Sequence, residues 1–350
     1  MKLKNLSEKI LRSIKSKGFR EITLDPVIES KYILQRSGEN FKRILISFYD
    51  LNGKELCLRP DLTISSALRI VQNKTFNREK VCYIGEAYRK VYQKKNSFIK
   101  NQIGFEIFGS KNALKDNKEI IDTSIQILKK SNYKKAILKL GNIELFKLLI
   151  EKLDMPIRWK NRLKKYFWNE IYFNELLKRL ETNSDIDPVY VELDKSKYKK
   201  MIKKNQNLKV AERSLKEILE RFDMKMRDPR NAKTGKINTR IIKEFLKINC
   251  PIEKAPTVLN NFFKKYSLNI YVSKDYFPVT KQKNKNLLIK FTSSSGKDLE
   301  IYSSLMFSLD VKIKSKYYNF ITGGRYDDLT NNLGFKKIPA VGAAINLNLI

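Results

Sequence analysis

The chain has 350 residues, of which 42% are hydrophobic, and its 72 basic residues against 37 acidic ones give a net charge of +35. The length and hydrophobic content allow a packed core and exclude a disordered chain. Histidine is absent, which excludes histidine metal ligands and nucleophiles activated by histidine. The cysteines Cys57, Cys82 and Cys250 are scattered, so we expect no disulfide framework and no metal site, and we assign no cofactor.

The sequence shows neither a membrane span nor a secretion signal. No apolar run approaches the length that a bilayer requires, and the amphipathic N-terminus lacks the continuous apolar centre of a signal peptide. We therefore expect a cytoplasmic protein with no membrane partner.

The high charge would attract nucleic acid. However, the lysines are spread along the whole chain among many asparagines and isoleucines. This distribution favours generic basicity over a specific nucleic-acid partner, and binding to an acidic protein is a third use of the charge.

The N-terminal part alternates helical and strand patterns. Residue Pro26 cannot donate to a sheet ladder, which suits a sheet edge or an interface. Asn52 and Gly53 lie between two apolar runs and predict a hairpin. The predicted elements are a helix over 6–17 closed by Gly18, a strand over 19–24, a helix over 27–37, and hairpin strands over 43–49 and 54–58.

The segment LRPDLT, residues 58–63, is predicted to be a turn that leads into a helix over 64–71. Asp61 and Thr63 would then stand at the helix N-terminus, where free N–H groups and partial positive charge gather. Simple capping is the alternative interpretation, since Asp and Thr are common N-caps.

Residues 82–109 are predicted to form a strand, a long basic loop and a second strand. Side chains two apart in a strand share a face, so Gln102, Gly104 and Glu106 face one way while the apolar residues between them face a core. A small cationic or amphoteric ligand could lie over Gly104, and the opposing strand brings Arg89 to the same region. The alternative is an ordinary half-exposed hairpin.

The amino-acid composition changes in the second half of the chain. Residues 159–247 are lysine-rich and almost free of glycine, which predicts a helical insertion. Near the end, Arg325 and Asp327 follow a glycine pair that lets the backbone approach a ligand closely; a structural turn with an Arg–Asp pair is the alternative. Other predicted elements are helices over 117–130 and 143–153 and strands over 136–140, 269–272, 287–291, 299–307, 311–313 and 339–347.

Three segments in this order, LRPDLT, YIGEAYRK…NQIGFEIFG and GGRYDDL, closely resemble histidyl-tRNA synthetase, a class II aminoacyl-tRNA synthetase. The terminal PAVGAAINL resembles the third motif of that fold, and Asp25-Pro26 occupies the place of its first, dimer-forming motif. The resemblance implies an α+β fold, an antiparallel sheet flanked by helices, and a homodimer. It also implies one class II synthetase-like domain over 1–350, with a helical insertion over 155–255 and no C-terminal anticodon-binding domain.

The resemblance further implies a histidine pocket. Asp61, Thr63 and Gln102 match positions that hold the amino group of the ligand, and Asp61 is shorter than the glutamate usual in the family. Glu106 and Tyr302 match positions that hold the imidazole. The remaining assigned ligand-binding residues are Arg89, which matches a second-motif arginine that contacts carboxylate or phosphate, and Arg325 beside the pocket.

Departures from the family pattern fall on the nucleotide-binding positions. The third-motif Glu-Arg that grips ATP corresponds to Asn348 and Leu349, and an expected arginine corresponds to Lys297. The second-motif acidic residue becomes Val91, and a loop arginine is lost at or near Asn96. Since adenylyl transfer depends on positioned cationic donors, these losses predict that the ATP chemistry is absent.

A synthetase-like body that keeps the amino-acid pocket but lacks ATP chemistry and the tRNA domain resembles the regulatory subunits of ATP phosphoribosyltransferase. That resemblance implies a non-catalytic subunit, required with a short catalytic subunit for the first step of histidine biosynthesis. We expect histidine to be a feedback effector. The alternatives are a divergent synthetase-like enzyme and an RNA-binding paralogue of histidyl-tRNA synthetase.

Overall fold

The computed structural model describes residues 2–34, 44–72, 77–90, 98–131, 133–183, 231–279, 286–295 and 301–349, with short pieces between 200 and 220. The chain divides into two compact units. Unit 1 comprises residues 1–144, 248–260 and 271–350, and unit 2 comprises residues 145–247 and 261–270.

The described residues of unit 1 form a nine-stranded mixed sheet in the order β1-β5-β6-β14-β13-β12-β7-β11-β10. Neighbouring strands are antiparallel except for β1 with β5 and β11 with β7. The strands are β1 (Arg20–Glu21), β5 (Glu79–Tyr88), β6 (Ile99–Phe108), β7 (Ala136–Asn142), β10 (Asn249–Pro251), β11 (Leu287–Thr292), β12 (Leu305–Ile313), β13 (Lys316–Arg325) and β14 (Ala340–Asn346).

Two helices cover the apolar face of this sheet, α1 (Lys2–Lys15) and α3 (Ala113–Lys130). The helical spacing of Ile10 and Ile14 places both in the core, where they join Ile120 and Ile121 of α3. The turn that follows helix α1 closes at Gly18, whose φ of +83° favours glycine. The predicted first helix is therefore confirmed, with slightly earlier bounds.

The opposite face carries α2 (Leu62–Gln72) and a small antiparallel sheet of β2 (Val27–Glu29), β3 (Ile46–Tyr49) and β4 (Glu55–Leu58). The predicted hairpin is confirmed, because β3 and β4 pair across a turn in which Gly53 has a φ of +74°. Residues 27–29 form a strand, so the helix predicted over 27–37 is wrong there; only 30–34 are helical, and 35–37 lie outside the described residues.

Unit 2 is mainly helical. Its aromatic core contains Phe146, Phe167 and Phe173, with the rings of Phe146 and Phe167 stacked at 4.1 Å. The helices in or entering this unit are α4 (Ile143–Lys152), α5 (Ile157–Lys165), α6 (Glu170–Leu180), α7 (Ala232–Leu246) and α8 (Ala255–Lys265). Two-residue strands β8 (Lys209–Val210) and β9 (Arg213–Ser214) pair with each other.

Several predicted strands have different bounds in the structure. Residues 269–272 are not a strand, and residues 301–304 precede β12 rather than belong to it. The chain continues without a break from Leu305 to Ile313, so two predicted strands are one. A last short helix, α9 (Leu329–Asn332), follows β13.

Within the described part of the chain, no helix is long and apolar enough to cross a membrane. The same residues contain no group of three or more cysteine, aspartate or glutamate side chains that could hold a metal ion.

Candidate functional site

Strand β6 and helix α2 bring several polar side chains together around Glu106. The carboxylate is only 1% exposed. Its Oε1 accepts a hydrogen bond of 2.9 Å from the Tyr83 hydroxyl, and its Oε2 accepts one from the Ser66 hydroxyl. Thr63 and Ser66 lie three residues apart on α2, which places them on one helix face toward the sheet.

Burial gives this carboxyl an unusual titration. Desolvation raises the pKa of Glu106 from 4.5 to about 7, while hydrogen bonds from Ser66, Tyr83 and Thr63 oppose the shift. Burial also raises the pKa of Tyr83 and of Tyr326 well above the ordinary tyrosine value, so both hydroxyls stay protonated. Near neutral pH the site can therefore offer either a neutral acid or a carboxylate to a ligand.

A row of glycines lies beneath three tyrosine rings on this face. A Cβ at Gly104 would collide with the Tyr83 ring, and one at Gly324 would come within 2.6 Å of the Tyr302 ring. The Tyr83 ring therefore already occupies the space above Gly104 that we expected a ligand to use, and that expectation is corrected.

Glu106 lies directly beside the glycine of the next strand. A Cβ at Gly342 would come within 2.6 Å of both Glu106 and the Tyr326 hydroxyl. That hydroxyl is buried and has no hydrogen bond of normal geometry within the described residues. The glycine row thus allows the acid and the tyrosine hydroxyls to approach one another closely.

Asp61 performs the capping role that we gave as the alternative. Its Oδ1 accepts a hydrogen bond of 3.1 Å from the backbone N–H of Ile64. Arg89 donates to the carbonyl of Pro60 at 2.8 Å, and its guanidinium lies 3.9 Å from the second Asp61 oxygen. Because Asp61 caps the helix with one oxygen, its second oxygen faces Arg89. The amino group of a bound ligand would therefore have to share that second oxygen with the Arg89 guanidinium.

Gln102 is half-buried at the far end of the same face, opposite Gly85 and Asn346 in the neighbouring strands. The alternation of faces predicted for β6 is confirmed, because Ile103, Phe105 and Ile107 all lie in the core. Glu106 is four residue steps from Gln102 along the extended strand, roughly 13 Å at about 3.3 Å per residue. A ligand that contacted both would have to lie along the strand.

The structure does not place Arg325 in this site. Arg325 pairs with Val341, which pairs with Ile107, and both partners face the core rather than the Glu106 side. Its guanidinium instead contacts Asp327 at 2.8 Å and Ser110 at 3.2 Å. The expectation that Arg325 stands beside the Glu106 pocket is therefore corrected.

Sequence reasoning missed four residues that shape the site, namely Arg59, Ser66, Tyr83 and Tyr326. Arg59 is buried, donates to the carbonyls of Glu86 and Leu24, and thereby fixes the turn that carries Asp61. The sequence signal available for Ser66 was its helical spacing from Thr63, whereas the pairing of Tyr83 with Gly104 is set by a strand register that only the structure shows. Three positions at which the chain departs from the nucleotide-binding pattern, Val91, Asn96 and Lys297, lie outside the described residues.

The model of the histidyl-tRNA synthetase family matches residues 1–228. The chain belongs to the histidyl-tRNA synthetase family. Among curated relatives, a protein from Allorhizobium ampelinum is 27% identical over 349 residues and one from Sinorhizobium fredii is 24% identical over 347. Both are named ATP phosphoribosyltransferase regulatory subunit, and the matches cover 93% of this chain and 91% and 90% of the relatives.

Solved structures with the same synthetase-like fold cover nearly the whole chain. An ATP phosphoribosyltransferase regulatory subunit/histidyl-tRNA synthetase from Bacillus halodurans matches with a TM-score of 0.61 and 17% identity, over 99% of this chain and 77% of that chain. A histidine–tRNA ligase subunit from Alicyclobacillus acidocaldarius matches with a TM-score of 0.56 and 17% identity, over 99% and 91%. The predicted class II synthetase-like α+β fold is confirmed, as is the resemblance to regulatory subunits.

Proposed function

We propose that this chain is the regulatory subunit of an ATP phosphoribosyltransferase and acts with a short catalytic subunit in the first step of histidine biosynthesis. The observation that carries the proposal is the end-to-end match to relatives that bear this name. These matches span 93% of this chain and at least 90% of each relative. A subunit of this kind would work in the cytoplasm.

A non-catalytic role is supported by the residues at the end of β14. Asn348 stands where the family resemblance places a glutamate, and its side chain binds the backbone of β6 at Asn101 and Ile99. Leu349 stands in the place of the ATP-gripping arginine and packs against the core. Replacing such an arginine with leucine removes a charge-assisted contact of about 1.5–3 kcal/mol.

We further propose that histidine is the effector and that Glu106 is the group that recognises its imidazole. The carboxyl can accept from a ring N–H, and near neutral pH it can pair with an imidazolium. The effector changes the activity of the complex only if it binds the active and inhibited states with different affinity. The chain would act as a homodimer through the region around Pro26.

The test is co-purification followed by two assays. The chain, co-expressed with a short phosphoribosyltransferase, should purify as a complex whose activity depends on both subunits and falls when histidine is added. The chain alone should show no histidine-dependent exchange between ATP and pyrophosphate.

Exchange by the purified chain would instead identify a divergent synthetase-like enzyme. Failure to form the complex, together with a catalytic subunit that is fully active alone, would reject the regulatory role. A bona fide histidyl-tRNA synthetase assayed in parallel provides the positive control for exchange.

A further inference from the structure

A cavity of about 330 Å³ lies in unit 1, between the first turn of α3, the end of β7 and the end of β13. Arg325 is part of its wall and is only 5% exposed. Since Arg325 points to the core side of the sheet and Glu106 to the other side, this cavity is separate from the Glu106 site. Its volume is in the range of small-molecule pockets.

The charge of the cavity differs from that of the chain. Among the described residues that line it, Glu144, Asp275 and Asp327 are acidic, Arg325 is the lone cation and none is a lysine. The whole chain, by contrast, has 72 basic residues against 37 acidic ones. Arg325 and Asp327 neutralise each other at 2.8 Å, so the exposed carboxylates of Glu144 and Asp275 leave the described part of the lining net negative.

The cavity also contains hydrogen-bonding groups that are not used. Ser304 is nine-tenths buried and lines the cavity, and its hydroxyl has no hydrogen bond to any described residue. The side-chain oxygen of Asn142 accepts a hydrogen bond from the backbone N–H of Glu144. The side-chain oxygen of Asn117 accepts one from the Arg325 guanidinium. The side-chain NH₂ groups of both asparagines are therefore available to a ligand. The Ser304 oxygen is not one of the fully enclosed unpaired atoms of the described residues, so it reaches the open space of the cavity, where a polar ligand can bind it.

A single metal ion does not suit this arrangement. The carboxylates are not grouped closely enough to hold a metal, since no such group of three exists among the described residues. Dispersed carboxylates around a cavity of this volume instead match an organic molecule whose positive charge lies on ammonium groups. The amide N–H groups and the Ser304 hydroxyl match a carbonyl or hydroxyl on the same molecule.

We propose that this cavity binds a small primary amine of amino-acid size that also carries a carbonyl or hydroxyl group. The ammonium pairs with Glu144 and Asp275, and the polar group meets Ser304 and the amides of Asn117 and Asn142. The site is independent of the proposed histidine response, because it uses none of the residues around Glu106.

Isothermal titration of the full chain with L-lysinamide tests the proposal. This probe has two amino groups and a carboxamide, and hexanamide, which lacks both amino groups, is the matched control compound. The double variant Glu144→Gln/Asp275→Asn should weaken L-lysinamide binding by about tenfold or more, because two charge-assisted contacts are lost. Ser304→Ala should weaken it by about fivefold, and hexanamide should not bind.

Glu253→Gln removes an exposed carboxylate that does not line the cavity, and it should leave the affinity unchanged. Thermal melting of each variant checks that the fold is retained. The proposal is overturned if L-lysinamide gives no heat at millimolar concentration, or if Ser304→Ala binds as wild type, which would mean surface attraction only. Magnesium binding that is tighter than L-lysinamide and lost in the same double variant would also overturn it.

Discussion

At the scale of single residues, Glu106 combines deep burial with a full set of hydroxyl partners. The alternation of β6 predicted which face Glu106 occupies, because that pattern is local. Tyr83 and Ser66 could not be predicted as its partners from spacing in β6, since they come from another strand and a helix 23 and 40 residues away in sequence. The pKa of about 7 depends on that distant packing.

The titration of Glu106 predicts a pH-dependent stability. The pKa is about 7 in the folded state and 4.5 ordinarily, so between these values the folded protein binds more protons than the unfolded chain. The contribution of Glu106 to the free energy of unfolding should therefore be highest below pH 4.5. It should fall by on the order of 3 kcal/mol as the pH rises through 7.

Glu106→Gln should remove this slope, and urea unfolding at intervals from pH 4.5 to 8 would measure it. Glu253→Gln, an exposed control, should keep the wild-type slope. If the stability of Glu106→Gln still changed with pH as in wild type, Glu106 would not be the source of the slope. Its carboxyl would then titrate like an exposed one.

At the scale of elements, the strands and helices with a clear local signal were predictable. The Asn52-Gly53 hairpin and the first helix have such signals, and both appear in the structure. Residues 27–29 lack such a local signal, because they form a strand through pairing with β4, and no local sequence pattern encodes that contact. The order of the synthetase-like segments correctly predicted the sheet as a whole. The strand propensity of single segments was a poorer guide to the strands at the edges of the sheet.

The β5–β6 pair predicts a specific packing cost. Gly104→Ala should destabilise the protein by about 1–3 kcal/mol, because the new methyl group collides with the Tyr83 ring. Urea unfolding of the single variants Gly104→Ala and Tyr83→Ala and of the double variant would measure the coupling between the two sites.

In the Tyr83→Ala background, Gly104→Ala should cost much less, because the ring it collides with is gone. Equal costs in both backgrounds would mean that Tyr83 does not cover Gly104. Tyr83→Phe keeps the ring and removes only the hydrogen bond to Glu106, so it separates the packing effect from the polar one.

At the scale of the whole molecule, the charge and the division into two units are the features that local motifs explain least. The lysine-rich pattern predicted helices over 159–247, and the helices α5 and α7 are rich in lysine and arginine. Many other lysines lie elsewhere on the chain, so the charge is not confined to one unit. Sequence could not give the unit boundaries, since those depend on which long-range contacts form.

A charge of +35 from lysines and arginines spread along the whole chain predicts weak and purely electrostatic binding to nucleic acid. Fluorescence anisotropy with a labelled duplex of arbitrary sequence should show binding at 50 mM salt that weakens roughly 10³-fold by 200 mM, if about six phosphates are neutralised. A second duplex of the same length and different sequence should behave identically, because phosphate contacts carry no sequence information. A binding constant that differed by more than tenfold between the two duplexes, or that survived at 200 mM salt, would instead point to a specific nucleic-acid partner.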